Sequence, residues 1–280
     1  MIFFFKILWQ AIEISALVFL MMVMVDFIDV RTRGRLHKFI KDRRDRQYIG
    51  ASFLGITPGC LGAYLNVSLY MHGFLSFGAL VAGMIATSGD EAFVMLSLFP
   101  VQALLLFVIL FLVAIPIGWL SDVLVKRFNI QTCSDCEMHE IHTHREEKRR
   151  GHYLKEHVWK HIIRGHLWKI FLWTFFALLL VGIGLEYWSL DNYVEKHIAL
   201  VLVLGALIGI IPESGPHLVF VTLFAQGVIP FSVLLASSIA QDGHGLLPLL
   251  AYSVKDSILI KLINVVAALL IGGAVYLMGY

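Results

Sequence analysis

Charged residues are scarce in this sequence. Asp, Glu, Lys and Arg make up 15% of its 280 residues, whereas hydrophobic residues make up 59%, well above the apolar share of a soluble domain. This shortage of charge excludes a soluble globular protein. A helix needs about 20 apolar residues to cross a bilayer, and several apolar runs reach that length: Ile7–Val25, Ala92–Leu120, Leu167–Leu185 and Ile258–Leu277. The sequence therefore predicts an all-α, polytopic integral membrane protein.

Cysteine is scarce, the polar loops contain no proline, and the sequence contains no nucleotide-binding motif. Three cysteines, two of them in a polar loop, exclude a disulfide framework. All seven prolines lie in apolar segments, where each removes a helix hydrogen bond and can leave a carbonyl free. No Walker A motif occurs, so ATP is not expected as the direct energy source. No tightly bound cofactor is expected either.

The positive charges fall almost entirely in two loops. Of 22 Lys and Arg residues, eight lie in Arg31–Arg46 and ten in Lys126–Lys169. By the positive-inside rule, loops 31–46 and 127–166 are predicted to be cytoplasmic, and the acidic loop Ser189–His197 is predicted to lie outside. Membrane orientation accounts for the basic runs, so no nucleic-acid partner is indicated. We expect a multi-pass protein of a bacterial cytoplasmic (inner) membrane with both termini outside.

The polar loops divide the chain into two membrane repeats of about five helical segments each. The predicted units are a first repeat at 1–127 (helix 3–25, basic loop 31–46, core 48–126), a His- and Cys-rich loop at 128–166, and a second repeat at 167–280 (helix 167–188, core 197–279).

The N-terminal run is interpreted as a retained helix and not as a signal peptide. Glu13 interrupts it, and no A-x-A cleavage site follows.

The two cores share a sequence repeat. Leu54–Leu96 aligns without a gap on Ile208–Leu250 at a constant offset of 154. Helix-breaking motifs interrupt each copy twice; the four breaks are TPGC at 57–60, SGDE at 88–91, PESG at 212–215 and QDGHG at 241–245. Duplicated, interrupted hydrophobic segments are typical of transporters that bind their substrate near the bilayer midplane. The loop charges predict opposite orientations for the two copies, so we expect inverted-topology repeats.

Two crossing patterns fit each core. In the first core, Tyr48–Met71 could be a re-entrant hairpin that turns at Thr57–Cys60, followed by one span, Gly73–Pro100, that breaks at Ser88–Glu91. Alternatively, each short piece is a tilted span of its own, which gives about ten spans. Both patterns give an even number of crossings, so the sequence leaves them open. In either pattern, broken backbone at membrane depth must be buried in protein or line a wet cavity.

Ionisable residues at the breaks form the candidate site, because a charged group at membrane depth is costly and needs a reason. The candidate metal ligands are Asp90, Glu91, Glu213, His217, Asp242 and His244. The candidate supporting residues are Pro58, Cys60, Asn66, Ser88, Pro212, Ser214 and Gln241. Carboxylate and imidazole ligands suit Mn²⁺, Zn²⁺, Fe²⁺ or Co²⁺ better than a soft ion. The alternative is that some of these acids are loop residues or helix caps at the membrane interface.

Two ionisable residues after the fourth break are candidates for proton coupling. Lys255 and Asp256 follow QDGHG, and a buried lysine titrates readily, so Lys255 could exchange its proton against a cation. The alternative is an internal Lys–Asp pair or a lysine at the membrane edge. Lys261 is interpreted as a second edge group. Cys60, at the first break, could contact a soft metal or an arsenical, although a small buried core residue is the simpler interpretation.

The polar loop between the repeats carries a second metal-binding signature. Two thiols and three imidazoles fall within twelve residues: Cys133, Cys136, His139, His142 and His144. Thiolate and imidazole ligands at this spacing indicate capture or sensing of a transition metal on the cytoplasmic side. The alternative is a charged, flexible linker that is rich in His.

Four motifs carry a resemblance to a known family. TPGCLGAYLN, ATSGDEAF, PESGPH and IAQDGHGLLPLLAYS, together with the His-rich loop, resemble the ten-span heavy-metal exporters. Members of that family are also described as manganese transporters or arsenic efflux permeases. The resemblance extends over nearly the whole chain and implies export of a metal or metalloid. The positions that would match the family are Pro58, Asp90, Glu91, Glu213, His217, Asp242 and His244.

These observations favour a secondary transporter, and not an enzyme, that exports a divalent transition-metal cation, manganese first, by proton antiport. Its expected partners are the lipid bilayer, the metal ion and protons, and a homodimer is left open. A permease for an arsenical or small anion is the alternative; it would depend on Cys60 or Lys255, with half-helix N-termini holding negative charge. A remote alternative is an intramembrane metal-dependent enzyme with Glu213 as base and His217 as ligand, but no HExxH motif occurs.

Overall fold

The computed structural model describes residues 4–9, 11–13, 15–16, 44–71, 73–132, 168–187, 194, 196–212 and 214–279. Within these ranges the regular secondary structure is helical and no strand occurs. The predicted all-α class is therefore confirmed. The first predicted helix, 3–25, is described only up to residue 16 and is helical there, while most of both basic loops lies outside the described residues.

The helices follow the predicted order of segments. The first core contains α1 (Arg44–Gly55), α2 (Leu61–Met71), α3 (Phe77–Ala86), α4 (Glu91–Leu98) and α5 (Pro100–Arg127). Helix α6 (Trp168–Tyr187) precedes the second core. The second core contains α7 (Ile198–Ile208), α8 (Leu218–Ala225), α9 (Phe231–Ala240), α10 (Leu247–Tyr252) and α11 (Val254–Leu277), with 3-10 turns at Gly215–His217 and Gly243–Leu246.

The sequence repeat is also a repeat of helix boundaries. An offset of 154 relates the first residues of α1, α3 and α5, which are Arg44, Phe77 and Pro100, to the first residues of α7, α9 and α11. The same offset relates Gly89 to Gly243, whose φ angles are 53° and 54°. The two copies therefore share these helix starts and the left-handed glycine of the second and fourth breaks, whereas 3-10 turns follow the breaks only in the second copy among the described residues.

Helices α1 and α2 form a hairpin that returns to the edge where it began. The 12 residues of α1 span about 18 Å, too short for a hydrocarbon core of about 30 Å. Gly62, in the first turn of α2, packs against the Leu54 carbonyl of α1. At the other end, the Gln47 side chain accepts a hydrogen bond from the Ser76 backbone N–H at 3.1 Å. The start of α1 is therefore level with the start of α3, as in the re-entrant pattern.

Helices α3 and α4 together make one broken span. Gly78 of α3 packs against Gly118 of α5, and the Gly78 N–H donates to Asp122 at 2.7 Å. Helix α4 also contacts α5, and only Phe99 separates the two in sequence. Helices α3 and α4 therefore lie one after the other along the antiparallel α5, in agreement with a span at Gly73–Pro100.

The broken span is enclosed by protein. Three helical segments in the described ranges are long and apolar enough to cross a membrane: Phe77–Leu98, Pro100–Arg127 and Val254–Leu277. The most apolar stretch of Phe77–Leu98 is 94% buried, against 33% and 39% for the other two. Helices α5 and α11 present large apolar side chains outward, where lipid can cover them. The interrupted backbone thus meets the requirement that it be buried in protein.

The two repeats meet through reciprocal contacts. Tyr70, near the end of α2, donates to Asp256, near the start of α11, at 2.8 Å. At the equivalent interface, Phe224 near the end of α8 packs against Phe99 beside the start of α5, with ring centroids 4.9 Å apart. The end of α2 therefore packs at the start of α11, and the end of α8 packs beside the start of α5.

Candidate functional site

The breaks of the two repeats come together. The Gly59 N–H of the first break donates to the Gly89 carbonyl of the second break at 2.9 Å. The Gln241 side chain of the fourth break donates to the Thr87 carbonyl, beside the second break, at 3.0 Å. Gln241 and Thr87 are themselves equivalent residues of the two repeats. We call this cluster the junction; it comprises the breaks at 57–60, 88–91, 212–215 and 241–245.

Two glycines allow the close approach of backbone at the junction. Gly89 and Gly243 both adopt left-handed φ angles, which residues with a Cβ rarely adopt. A Cβ on either glycine would lie 3.8 Å from the Cα of the other, and 3.1 and 3.0 Å from the Ser214 hydroxyl oxygen. Ser214 of the third break therefore packs against the second and fourth breaks at once.

Asp242 is held by two partners from α11. The carboxylate is 1% exposed; its Oδ1 accepts from Asn264 Nδ2 at 2.6 Å, and its Oδ2 lies 2.5 Å from Lys261 Nζ. Lys261 also donates to the Gly209 carbonyl at 2.6 Å. The interpretation of Lys261 as a membrane-edge group is therefore wrong. The lysine is buried because a carboxylate and a carbonyl together compensate its charge.

His217 is fully buried at the beginning of α8. Its Nδ1 forms a hydrogen bond with Ser237 Oγ of α9 at 3.0 Å. In the described part of the chain, Nε2 has no hydrogen-bond partner, although the Ile208 backbone lies near the ring. The hydrogen bond of His217 therefore connects the beginning of α8 to α9.

Asp90 and Glu91 begin α4 and are 5% and 2% exposed. Asp90 Oδ1 accepts a hydrogen bond from the Cys60 thiol at 3.6 Å, which joins the first and second breaks. Within the described residues, the Asp90 side chain makes no capping hydrogen bond to α4, and Glu91 Oε1 has no hydrogen-bond partner. Neither acid is an exposed loop residue; Asp90 occupies the N-cap position of α4, as the helix-cap alternative predicts, but without a capping hydrogen bond.

Buried polar atoms without partners gather at the junction. Among the residues that the structure describes, seven side-chain atoms at or near a break have no hydrogen-bond partner: Thr87 Oγ1, Ser88 Oγ, Glu91 Oε1, Ser214 Oγ, His217 Nε2, Gln241 Oε1 and Asp242 Oδ2, the last of which has only the ion-pair contact with Lys261. Asn264 Oδ1, beside Asp242, is another. Buried polar atoms normally have partners, because an unpaired one costs about 1–3 kcal/mol. This concentration of unpaired oxygen and nitrogen atoms indicates a place where a polar or ionic ligand binds.

The remaining candidate supporting residues, Asn66, Pro58 and Pro212, are buried or partly buried. Asn66 is fully buried, donates to the Ala51 carbonyl at 2.9 Å and packs against Gly83. It therefore connects α1, α2 and α3. Pro58 and Pro212 are partly buried in the first and third breaks.

Lys255 and Asp256 occupy the first turn of α11. Lys255 is exposed and donates to the Gln131 carbonyl at 3.0 Å, whereas Asp256 is buried and accepts from Tyr70 at 2.8 Å. Lys255 is therefore exposed at the start of α11, and its role in proton coupling stays a prediction. The lysine that reaches the junction is Lys261, almost two turns further along α11.

Several predicted ligands lie outside the described part of the chain: Glu213, the side chain of His244, and the loop residues Cys133, Cys136, His139, His142 and His144. Among the side chains that are described, no group of three or more His, Cys, Asp and Glu is close enough to hold a metal ion. Asp90, Glu91, His217 and Asp242 therefore do not by themselves form a complete ligand set in this conformation.

A family model described as "Putative, 10TM heavy-metal exporter" matches residues 3–167 and 166–279. The chain belongs to this family. The resemblance seen in the motifs is confirmed, and with it a multi-pass membrane transporter of heavy-metal efflux that is not an enzyme. No curated protein and no solved structure matches the chain.

Sequence reasoning missed the residues that hold Asp242 and His217 in this exporter. Lys261 and Asn264 are three residues apart in an apolar run, so they share one face of α11. Two polar residues at that spacing are a signal that could have been used. Ser237 gave no comparable signal, because a hydroxyl can satisfy itself on the backbone of its own helix.

Proposed function

We propose that this exporter moves a divalent transition-metal cation, with manganese favoured over zinc, iron and cobalt, out of the cytoplasm across a bacterial cytoplasmic membrane in exchange for protons. The cation binds at the junction. The observation that carries the proposal is the group of buried oxygen and nitrogen atoms that lack partners there in the described residues. A bound ion would supply the missing contacts and offset their desolvation.

The charge of the junction favours a cation. Asp90, Glu91 and Asp242 are buried carboxyl groups, whereas Lys261 is the one buried Lys or Arg among the described residues. Carboxylate oxygen and imidazole nitrogen suit Mn²⁺ and its neighbours better than a soft ion. The thiol of Cys60, at the first break, donates to Asp90, so sulfur is a minor part of this surface.

Proton exchange follows from the type of ligand. Carboxylates and imidazoles bind metal when they are deprotonated, so arriving protons compete with the ion and release it. The sequence carries no Walker A motif, so the proton gradient is the energy source in this proposal.

Opposite orientation of the two repeats would provide alternating access to one site. Lys255, at the start of α11, donates to Gln131, just after α5. Phe99, just before α5, packs against Phe224 at the end of α8. These contacts support an arrangement in which α5 and α11 cross in opposite directions, with both basic loops cytoplasmic and both termini outside.

The loop 128–166 would capture the metal before transport. Its thiols and imidazoles, Cys133, Cys136, His139, His142 and His144, are ligands for Zn²⁺ and other borderline ions. Capture by the loop and transport through the junction are separable, because a loop variant leaves the membrane helices unchanged.

A second candidate is a permease for an arsenical or another small anion. One observation favours it: Lys261 is a buried cation that reaches the junction, where it pairs with Asp242. Lys255, the lysine that the sequence suggested for this role, is exposed. An anion permease would therefore depend on Lys261 or Cys60.

Transport by the purified exporter in proteoliposomes tests the proposal. Mn²⁺, Zn²⁺, Fe²⁺, Co²⁺ and arsenite are compared with and without an imposed pH gradient, and protein-free vesicles are the control. We expect Mn²⁺ flux that follows the gradient and stops with a protonophore. Flux of arsenite alone would favour the second candidate, and Mn²⁺ flux that ignores the gradient would exclude proton exchange.

A further inference from the structure

The ion pair between Lys261 and Asp242 has no equivalent in the first repeat. The offset of 154 relates Lys261 to Phe107 and Asp242 to Ser88. Phe107 and Ser88 are both buried, so the same place in the first repeat is closed without an ion pair. The fold therefore does not require these charges, and their presence in the second repeat needs its own explanation.

Lys261 connects the end of α7 to the fourth break with one ammonium group. Its Nζ donates to Gly209, at the end of α7, and pairs with Asp242 in the fourth break. Asn264, one turn along α11, occupies the second carboxylate oxygen. Both oxygens of Asp242 are therefore engaged, and α11 holds the end of α7 and the fourth break in a fixed relation.

A metal ion and the ammonium group cannot share this carboxylate. Carboxylate oxygens bind transition metals at about 2.0–2.2 Å, and Lys261 Nζ already lies 2.5 Å from Asp242 Oδ2. Two cations at such a separation repel each other strongly in a buried environment. Whichever cation binds Asp242 must therefore exclude the other.

We propose that Lys261 is a tethered cation that occupies the Asp242 carboxylate when the junction holds no metal, and that an arriving divalent ion displaces it. The proposal rests on the proposed function of divalent-metal transport. Displacement removes the connection that the ammonium makes between Gly209 and the fourth break, so ion binding removes one of the contacts that hold the end of α7 against that break. A monovalent ion carries no more charge than the ammonium, so it has no electrostatic advantage in the competition for Asp242. Lys261 therefore also favours the binding of divalent over monovalent cations.

The surroundings of Lys261 allow this movement. The lysine lines an open, apolar cleft of about 440 Å³, whose walls include the exposed side chains of Leu207, Ile258 and Leu262. The side chain therefore has space to change rotamer while α11 keeps its packing. The Gly209 carbonyl can still accept from the ammonium after Asp242 has been given up.

Mn²⁺ binding to the purified full-length exporter in nanodiscs tests this proposal. Lys261→Met removes the ammonium and keeps most of the apolar stem. Loss of a competing cation should tighten Mn²⁺ binding by about tenfold or more, within the range of coupling between competing ligands. Mn²⁺ flux should fall in the same variant, because the connection no longer re-forms. Lys261→Arg keeps the charge and should bind Mn²⁺ more weakly than Lys261→Met.

Lys255→Met is the matched control. Lys255 is on the same helix but exposed, so its replacement should leave Mn²⁺ affinity unchanged. Equal Mn²⁺ affinity in the wild type and Lys261→Met overturns the proposal, and so does equal tightening in Lys255→Met. If the wild type itself does not bind Mn²⁺, the proposed function falls and this proposal falls with it.

Thermal unfolding provides a second measurement if Lys261→Met is unstable, since an uncompensated buried carboxylate is strongly destabilising. Mn²⁺ should raise the melting temperature of Lys261→Met more than that of the wild type, because the ion then fills an uncompensated site. The double variant Lys261→Met/Asp242→Asn should lose this extra effect. Equal Mn²⁺ effects in all three proteins contradict the proposal.

Discussion

Gly89 and Gly243 pack against each other at the junction, and each occupies the same place in its own repeat. A Cβ on either would lie 3.8 Å from the Cα of the other, so the second and fourth breaks are in direct contact. Asp90 follows Gly89 and Asp242 precedes Gly243 in the sequence. The glycine contact therefore brings the backbones that carry the two candidate carboxylates together.

Gly89→Ala should reduce metal flux strongly. The left-handed φ of 53° costs a residue with a Cβ about 1–2 kcal/mol, and the added methyl group would press against Ser214 Oγ. Flux in proteoliposomes and thermal unfolding measure the two effects. Gly227→Ala is the matched control: its φ is 72°, and no atom of the described residues lies within 4 Å of a Cβ there. Equal flux in the two variants would contradict the role of the glycine contact.

Asp242→Asn should abolish Mn²⁺ binding and flux, because an amide is a much weaker metal ligand than a carboxylate. Isothermal titration with Mn²⁺ and proteoliposome flux measure the change. Asp122→Asn is the control. Asp122 accepts from Tyr48 and from the Gly78 N–H, both at 2.7 Å, and holds α3 against α5. Its replacement should lower the unfolding free energy by about 1–3 kcal/mol and leave Mn²⁺ affinity unchanged.

Ser237→Ala should weaken Mn²⁺ binding about 10- to 100-fold, the usual effect of removing a residue that orients a metal-binding histidine. The hydroxyl of Ser237 is the hydrogen-bond partner of His217 Nδ1 at 3.0 Å. Ser232→Ala is a matched control on α9, because Ser232 is also fully buried but its hydroxyl has no hydrogen-bond partner in the described residues. Equal affinities in the two variants would show that Ser237 does not position a ligand.

Gly118→Ala should destabilise the exporter, although alanine in place of glycine normally stabilises a helix by about 0.5–1 kcal/mol. A Cβ at Gly118 would overlap the Gly78 carbonyl and the Ala82 side chain at the contact between α5 and α3. Gly273→Ala, on the open side of α11, has no such neighbour among the described residues and should be neutral or stabilising. Melting temperatures in one detergent separate the two outcomes, and a stabilised Gly118→Ala protein would contradict close packing at this point.

The order of the helices and the positions of their breaks are predictable, because the sequence repeat contains the motifs that interrupt them. The glycines and prolines of the four motifs break the helices for local reasons, and the structure breaks α3 from α4 and α9 from α10 where those motifs occur. The sequence does not distinguish a re-entrant hairpin from two full spans, because the hairpin requires Gln47 and Ser76 to lie at the same end of the helices. Tertiary packing determines their relative positions, and the local sequence pattern does not.

The partners within the site were less predictable. Asp242 pairs with residues 19 and 22 positions later, and Lys261 reaches back 52 positions to Gly209. Local periodicity gives no information on such separations. The sequence therefore indicates a membrane-edge position for Lys261, whereas in the structure its ammonium group lies at the junction. The orientation of the repeats in the membrane and the identity of the ion stay predictions.

The outer helices, α5 and α11, are longer than the hydrocarbon core of a bilayer is thick. At 1.5 Å per residue, the 28 residues of α5 extend about 42 Å and the 24 residues of α11 about 36 Å, against a hydrocarbon core of about 30 Å. A hydrophobic mismatch of this sign is relieved by tilting, and it acts on the two helices that face lipid. Because Phe77–Leu98 is almost entirely shielded by protein, a change in acyl-chain length should alter the tilt of the frame and leave the ion-binding geometry unchanged.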